Sequence, residues 1–146
     1  MTGDARRRLC VFDLDGVLIV GNEVSSEALE NLLRCVERGL GIAIVSGRRV
    51  SEWRRIRSML RDAGAPLDSI VVVALRESDE DPRSFKLRTL SELTASGFEV
   101  VEVHEDDADL ARRLSAMLRN ACIYLYSSGR LTDVVYPRRD LRSVFP

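Results

Sequence analysis

Leu9-Cys10-Val11-Phe12-Asp13-Leu14-Asp15-Gly16-Val17-Leu18 is the stretch whose reading decides the fold of this chain. Leu9–Phe12 is a short, continuously apolar run, the signature of a strand covered on both faces. It closes on Asp13 and Asp15, two residues apart, so both carboxylates can face one site, and Gly16 permits the turn that follows. Similar runs recur at Ile42–Val45, Ile70–Leu75, Phe98–Val103 and Cys122–Tyr126. Amphipathic stretches separate them. Ser25–Arg38 carries Ala28, Leu29, Leu32, Leu33 and Val36 on a helical stripe, with Ser25 or Ser26 as its cap. Val50–Ala63, Phe85–Ala95 and Ala108–Arg119 read as further helices. Strand–helix alternation predicts a doubly wound α/β fold, a three-layer parallel sheet of Rossmann-like type. Residues 127–146 read as an irregular C-terminal tail.

With 146 residues, 45% apolar and 31% charged, the chain is expected to form a single domain over 1–146. A formal net charge of −1 supplies no global field favouring nucleic acid or a membrane surface. The basic residues are lopsided: of 22, only Lys86 is lysine, so an ammonium stands where this chain otherwise prefers a guanidinium. Cys10, Cys35 and Cys122 form no CxxC pair, which argues against a disulfide framework or a zinc site. Two aspartates inside the N-terminal apolar run exclude a signal-peptide reading. The expectation is an intracellular, cytoplasmic protein without a membrane segment.

In an open parallel sheet, ligands bind beyond the carboxyl ends of the strands. Asp13 and Asp15 stand there after the first strand, Ser46 and Gly47 after the second, and Glu105-Asp106-Asp107 after the fourth. Lys86, early in the third helix, comes to the same edge. Carboxylates, a hydroxyl and one ammonium suit a phosphate with a divalent cation, and hard oxygen donors suit Mg²⁺. Two neighbouring carboxyls can divide the work of nucleophile and proton donor, because proximity and burial push their pKa values apart. Each residue also has a plain structural use: the Asp pair can cap a turn, Ser46 can start the next helix, and Asp106 or Asp107 can cap the last one. His104 reads as a packing residue, and the sequence leaves open which of Glu105, Asp106 and Asp107 faces Asp13.

Taken in order, FDLDGVL (Phe12–Leu18), VSGR (Val45–Arg48), Lys86 and HEDDADL (His104–Leu110) resemble the haloacid dehalogenase-like superfamily. The resemblance spans about Leu9 to Tyr126. It implies a phosphatase, with Asp13 as the nucleophile that becomes an aspartyl-phosphate and Asp15 as general acid and base. It further implies that Ser46, with Gly47, binds the phosphoryl group and that Lys86 steadies both that group and Asp13. Mg²⁺ would be held by Asp13, the backbone carbonyl of Asp15, and Asp106, with Glu105 or Asp107 assisting. The second Asp of the DxD pair favours phosphate-ester hydrolysis over carbon–halogen cleavage. The 32 residues between Asp13 and Ser46, and the 39 between Ser46 and Lys86, are too few for the cap domain that members usually carry. The expected site is therefore open, or covered by a second copy in a homo-oligomer.

The expected substrate is a small phosphorylated metabolite. The acidic loop Arg76–Arg83 counts against a polyanion, whereas Arg48, Arg49, Arg54, Arg55, Arg138, Arg139 and Arg142 offer phosphate contacts to a nucleic-acid end. Polynucleotide 3′-phosphatase domains, also capless, have a similar acidic ending. The competing classes are a two-metal nuclease, a phospho-receiver and a non-catalytic phosphate-binding module.

Overall fold

The computed structural model describes residues 7–137. Its centre is β1 (Arg8–Phe12), where the side chains beyond Arg8 are buried on both faces. Cys10 and Phe12 point into one core, and Leu9 and Val11 into the other. The chain then makes a small hairpin, β2 (Ile19–Val20) and β3 (Glu23–Val24), before α1 (Ser26–Glu37). Ser25 caps α1 by accepting the Ala28 N–H. β4 (Gly41–Arg49), α2 (Trp53–Asp62), β5 (Ile70–Arg76), α3 (Pro82–Ala95), β6 (Glu99–Glu105), α4 (Ala108–Met117), β7 (Cys122–Ser127) and β8 (Arg130–Val135) follow.

The six-stranded sheet has the order β5-β4-β1-β6-β7-β8 and is parallel except for β8. Helices α1 and α2 pack on one face through Ala28, Leu32, Ile56 and Leu60. Helices α3 and α4 cover the other through Phe85, Leu90, Leu110 and Leu114. This is the doubly wound α/β arrangement read from the sequence. Among the described residues, only the β2–β3 hairpin and α1 lie between β1 and β4, so no cap is inserted there. No helix among them is long and apolar enough to cross a membrane.

Three local expectations are corrected. The residues after Tyr126 do not begin an irregular tail: Ser128 (φ 48°) and Gly129 (φ 78°) make a hairpin turn, and β8 pairs antiparallel with β7. Its sequence RLTDVV is a half-exposed edge strand, too polar to read as a buried run. β8 runs away from the site edge, so Val135 lies at the opposite edge of the sheet. Arg138, Arg139 and Arg142 lie outside the described residues. Second, β4 continues to Arg49 instead of stopping at Ser46. Its register with β5 passes from Ser46↔Leu75 to Arg49↔Arg76, so Gly47 and Arg48 bulge out of the ladder. Third, α3 begins at Pro82, capped by Asp81, rather than at Phe85.

A polar chain threads the α1 side of the sheet. His104 stacks between Phe12 (3.9 Å between ring centroids) and Tyr124 (4.5 Å). Its ring nitrogens meet the Tyr126 hydroxyl at 2.7 Å and Glu102 at 2.9 Å. Arg38 closes on the other Glu102 oxygen, and the Cys35 thiol sits 3.3 Å from the carboxylate. Burial opposes ionisation of Glu102, but the His104 and Arg38 hydrogen bonds outweigh it and pull its pKa down to about 2. A depressed folded-state pKa contributes stability above the unfolded value near 4.5, which is lost as pH falls toward 2. Glu102→Gln is therefore expected to cost up to about 3 kcal/mol near neutrality. Urea unfolding at a series of pH values checks this, because the deficit should shrink across that acid window.

Candidate active site

β1 delivers Asp13 to the carboxyl edge of the sheet, where its N–H donates to the His104 carbonyl (3.0 Å) and the residue is buried. Both carboxylate oxygens are engaged: Oδ1 accepts the Leu14 N–H at 2.7 Å and Oδ2 accepts Lys86 Nζ at 2.7 Å. The early start of α3 puts Lys86 in its second turn, facing the sheet. The same ammonium donates to Glu105 Oε1 at 3.1 Å. Glu105 is buried, and its Oε2 also accepts the N–H groups of Asp106 and Asp107 at 3.0 Å each.

Two buried carboxyls thus share one ammonium. Burial pushes Asp13 above the usual carboxylate range, with Lys86 opposing it. Glu105 is raised as well, by burial and by the charge of Asp13. Burial works against the Lys86 charge, but the two carboxylates prevail and hold its pKa above that of a free lysine. Carboxyls shifted by burial around one charge partner are a pattern found at functional sites.

Ser46 is 1% exposed and its hydroxyl accepts the Arg48 N–H at 3.2 Å. It does not start a helix: the backbone beside it is the Gly47–Arg48 bulge, and α2 begins only at Trp53. Arg76 fixes the bulge by donating to the Gly47 carbonyl at 2.6 Å. Gly47 packs on α3 so closely that a Cβ there would meet Pro82 Cβ at 2.8 Å.

Asp15 lies beyond Asp13 with its side chain 59% exposed, gripped by Arg48 through Nε (3.0 and 2.9 Å) and Nη2 (2.6 Å). The other arm of Arg48 reaches Glu52 at 2.9 Å. The spacing of VSGR shows that Arg48 follows Ser46, but only the bulge brings its guanidinium back to Asp15.

The acidic run divides by role. Asp107 caps α4 through the Asp109 and Leu110 N–H groups and pairs with Arg83 at 2.6 Å, so its carboxylate is turned to structural use. Asp106 is exposed and approaches the turn at Gly16. Carboxylate oxygens of Asp13, Glu105 and Asp106 lie within 4.8 Å of one another, a hard-donor group that fits Mg²⁺. Asp15 and Asp107 fall outside that group by their side chains. Gly16 has φ +78°, and a Cβ on it would collide with Asp106 Oδ2. Gly16→Ala is expected to cost about 2 kcal/mol through strain and to weaken divalent-cation binding at this donor group by displacing the Asp106 carboxylate. Thermal unfolding and a metal titration measure the two effects.

Asp13, Asp15, Ser46, Gly47, Lys86, Asp106 and Asp107 line one cleft of about 680 Å³, joined by Arg48, Arg49 and Arg76. The loop 76–83 is less acidic in effect than its sequence reads: Asp79 pairs with Arg49, Glu80 with Arg88, and Asp81 caps α3. These pairings offset part of the loop's acidity.

No family model and no curated protein matches the sequence. Solved structures do share the fold. A chain of the Pnkp1/Rnl/Hen1 complex superposes with a TM-score of 0.71 at 12% identity, over 84% of this chain and 46% of that one. This chain thus spans just under half of that protein's chain. The core domain of a Streptococcus pneumoniae TIGR4 protein, provisionally described as a phosphoglycolate phosphatase, gives 0.54 at 15% identity, over 94% and 91%.

Proposed function

We propose that this chain hydrolyses phosphate monoesters through a covalent intermediate on Asp13, with Mg²⁺ as cofactor and a small phosphorylated metabolite as substrate. The observation that carries the reading is the buried Asp13–Lys86–Glu105 cluster at the floor of a cleft edged by Ser46, Asp15 and Asp106. The Leu14 N–H and Lys86 fix both oxygens of Asp13, which orients the carboxylate for attack on phosphorus. As the Asp13 oxygen–phosphorus bond forms, the ester oxygen–phosphorus bond breaks and Asp15 gives a proton to the leaving oxygen. In the second half-reaction Asp15 takes a proton from water, which attacks phosphorus and releases phosphate and the free Asp13 carboxylate.

Ser46 and the Gly47–Arg48 bulge receive phosphoryl oxygens, and Lys86 balances the charge shared between them and Asp13. A phosphoryl group in the cleft competes with Asp15 for the Arg48 guanidinium, which loosens the ion pair when substrate is present. Asp13 and Asp106 would hold the ion with Glu105 assisting, and the ion would supply charge neutralisation at the phosphoryl oxygens. Glu105 also positions Lys86, and its other oxygen is held by the Asp106 and Asp107 N–H groups.

A two-metal nuclease fits less well, because Lys86 stands between Asp13 and Glu105 where a bridging second ion would be needed. A polynucleotide end is the second reading for the substrate, favoured by the pairing of the loop's acids and by the Arg48, Arg49 and Arg76 rim. Phosphate release from acetyl phosphate and p-nitrophenyl phosphate tests the activity. It is expected with Mg²⁺ and lost with a chelator; absence of release, or release indifferent to chelation, would contradict the proposal.

A further inference from the structure

A second, smaller cleft of about 380 Å³ adjoins the first, and Asp15 and Asp106 line both. These two carboxylates form the wall between them. Its far side is built from Gly16, Val20 and Gly21 on the hairpin segment and from Ser127 and Ser128 at the end of β7.

The two sides are tied together by hydrogen bonds. The Gly129 N–H donates to the Gly16 carbonyl at 2.9 Å, and the Ser25 hydroxyl donates to the Gly129 carbonyl at 2.5 Å. A Cβ on Gly129 would meet Val20 Cγ2 at 2.7 Å, so the β7–β8 turn is seated against the hairpin. This is a preformed concavity, of a volume suited to a small ligand group.

The clefts differ in chemistry. Arg48, Arg49, Arg76 and Lys86 line the larger one. Among the described residues, no Arg, Lys or His lines the smaller one, which offers serine hydroxyls, glycine backbone and the apolar edge of Ile19 and Val20.

We propose that the smaller cleft is the leaving-group subsite and that it takes an uncharged, hydroxyl-rich group, a sugar or polyol carrying no second phosphate. This rests on the phosphatase reading above. With phosphorus held over Asp13, the leaving oxygen lies on the opposite side and must come within hydrogen-bond reach of Asp15. Asp15 stands on the dividing wall, so the group attached to that oxygen extends past it into the smaller cleft. A second phosphoryl group, or the next phosphodiester of a nucleic-acid strand, would enter a cleft with no cation lining it among the described residues.

The test compares kcat/KM for acetyl phosphate, fructose 6-phosphate, fructose 1,6-bisphosphate and a 3′-phosphorylated oligothymidylate, all with Mg²⁺. Fructose 6-phosphate is expected to exceed the bisphosphate and the oligonucleotide by about tenfold or more, the effect of one unpaired charge near the surface. Ser127→Lys, which places a cation in the subsite, is expected to narrow the monophosphate-to-bisphosphate ratio by about as much. Val20→Trp, which fills the subsite, is expected to lower kcat/KM for fructose 6-phosphate more than for acetyl phosphate. Equal or better turnover of the bisphosphate or oligonucleotide, or a ratio unmoved by Ser127→Lys in a folded variant, overturns the subsite while hydrolysis of acetyl phosphate stands. Hydrolysis of none of the four compounds removes the phosphatase reading and the subsite together.

Discussion

Asp13→Asn is expected to abolish phosphate release, on the order of 10⁴-fold or more as for the loss of a nucleophile, without weakening the fold. The two halves of that result have one physical cause. Asp13 is buried, and its pKa is raised in the folded state despite Lys86. A carboxyl with a raised folded-state pKa costs stability once pH exceeds its unfolded value near 3.8, because the folded state resists ionising it. Asparagine keeps the shape and carries no charge to desolvate; turned so that its Oδ1 accepts from Lys86, it sets its amide NH2 against the Leu14 N–H, a lost hydrogen bond of about 1 kcal/mol that the removed desolvation offsets. Lys86 retains Glu105 as its counterion. Urea unfolding near neutrality should therefore show the variant as stable as the parent or more so, while steady-state assays show no turnover. A purely structural Asp13 would give the reverse, with stability lost and nothing specific to catalysis.

Lys86→Ala is expected to damage both properties. It leaves the buried Asp13 and Glu105 without the ammonium they share. Breaking a buried ion pair by removing one partner costs about 3–5 kcal/mol, since the remaining charge is uncompensated. The survivors avoid part of that cost by binding protons, so the loss should grow as pH rises from acid to neutral. Activity should fall by on the order of 10²–10³-fold, the scale for removing one preorganised group that stabilises transition-state charge. Lys86→Arg should not restore it: a planar guanidinium needs more room than the point charge wedged between two carboxylates. A rescue by arginine would undercut the reading of the solitary lysine. Chemical denaturation at several pH values, alongside turnover of acetyl phosphate by both variants, separates the two effects.

Much of this site was legible along the chain because strand ends are marked by abrupt changes in residue type. The apolar run Leu9–Phe12 stops at Asp13, and Phe98–Val103 leads into Glu105-Asp106-Asp107, so the carboxyl edge could be placed without coordinates. The lone Lys86 stood out because composition alone isolates it. What escaped the sequence depends on backbone departures that no periodicity encodes. The bulge at Gly47–Arg48 turns Arg48 onto Asp15, and the signal for it is one glycine that also has to clear Pro82. The edge strand β8 escaped because its outward residues are polar, and a half-exposed strand lacks the continuous apolar character of β1 or β4. Among Glu105, Asp106 and Asp107, three adjacent carboxylates look alike in sequence. Only the path of the chain into α4 turns Asp107 onto the helix N-terminus and Arg83, buries Glu105 against Lys86, and leaves Asp106 exposed at the Gly16 turn.

The central claim is that Asp13 carries the phosphoryl group between the two half-reactions. Acid quenching during turnover of radiolabelled acetyl phosphate with Mg²⁺ tests it most directly. The account predicts label on the protein, released by hydroxylamine as an acyl phosphate should be, located on the peptide containing Asp13 and absent from Asp13→Asn. Label on a different residue, or turnover by a protein that retains no label while Asp13→Asn remains active, would contradict it.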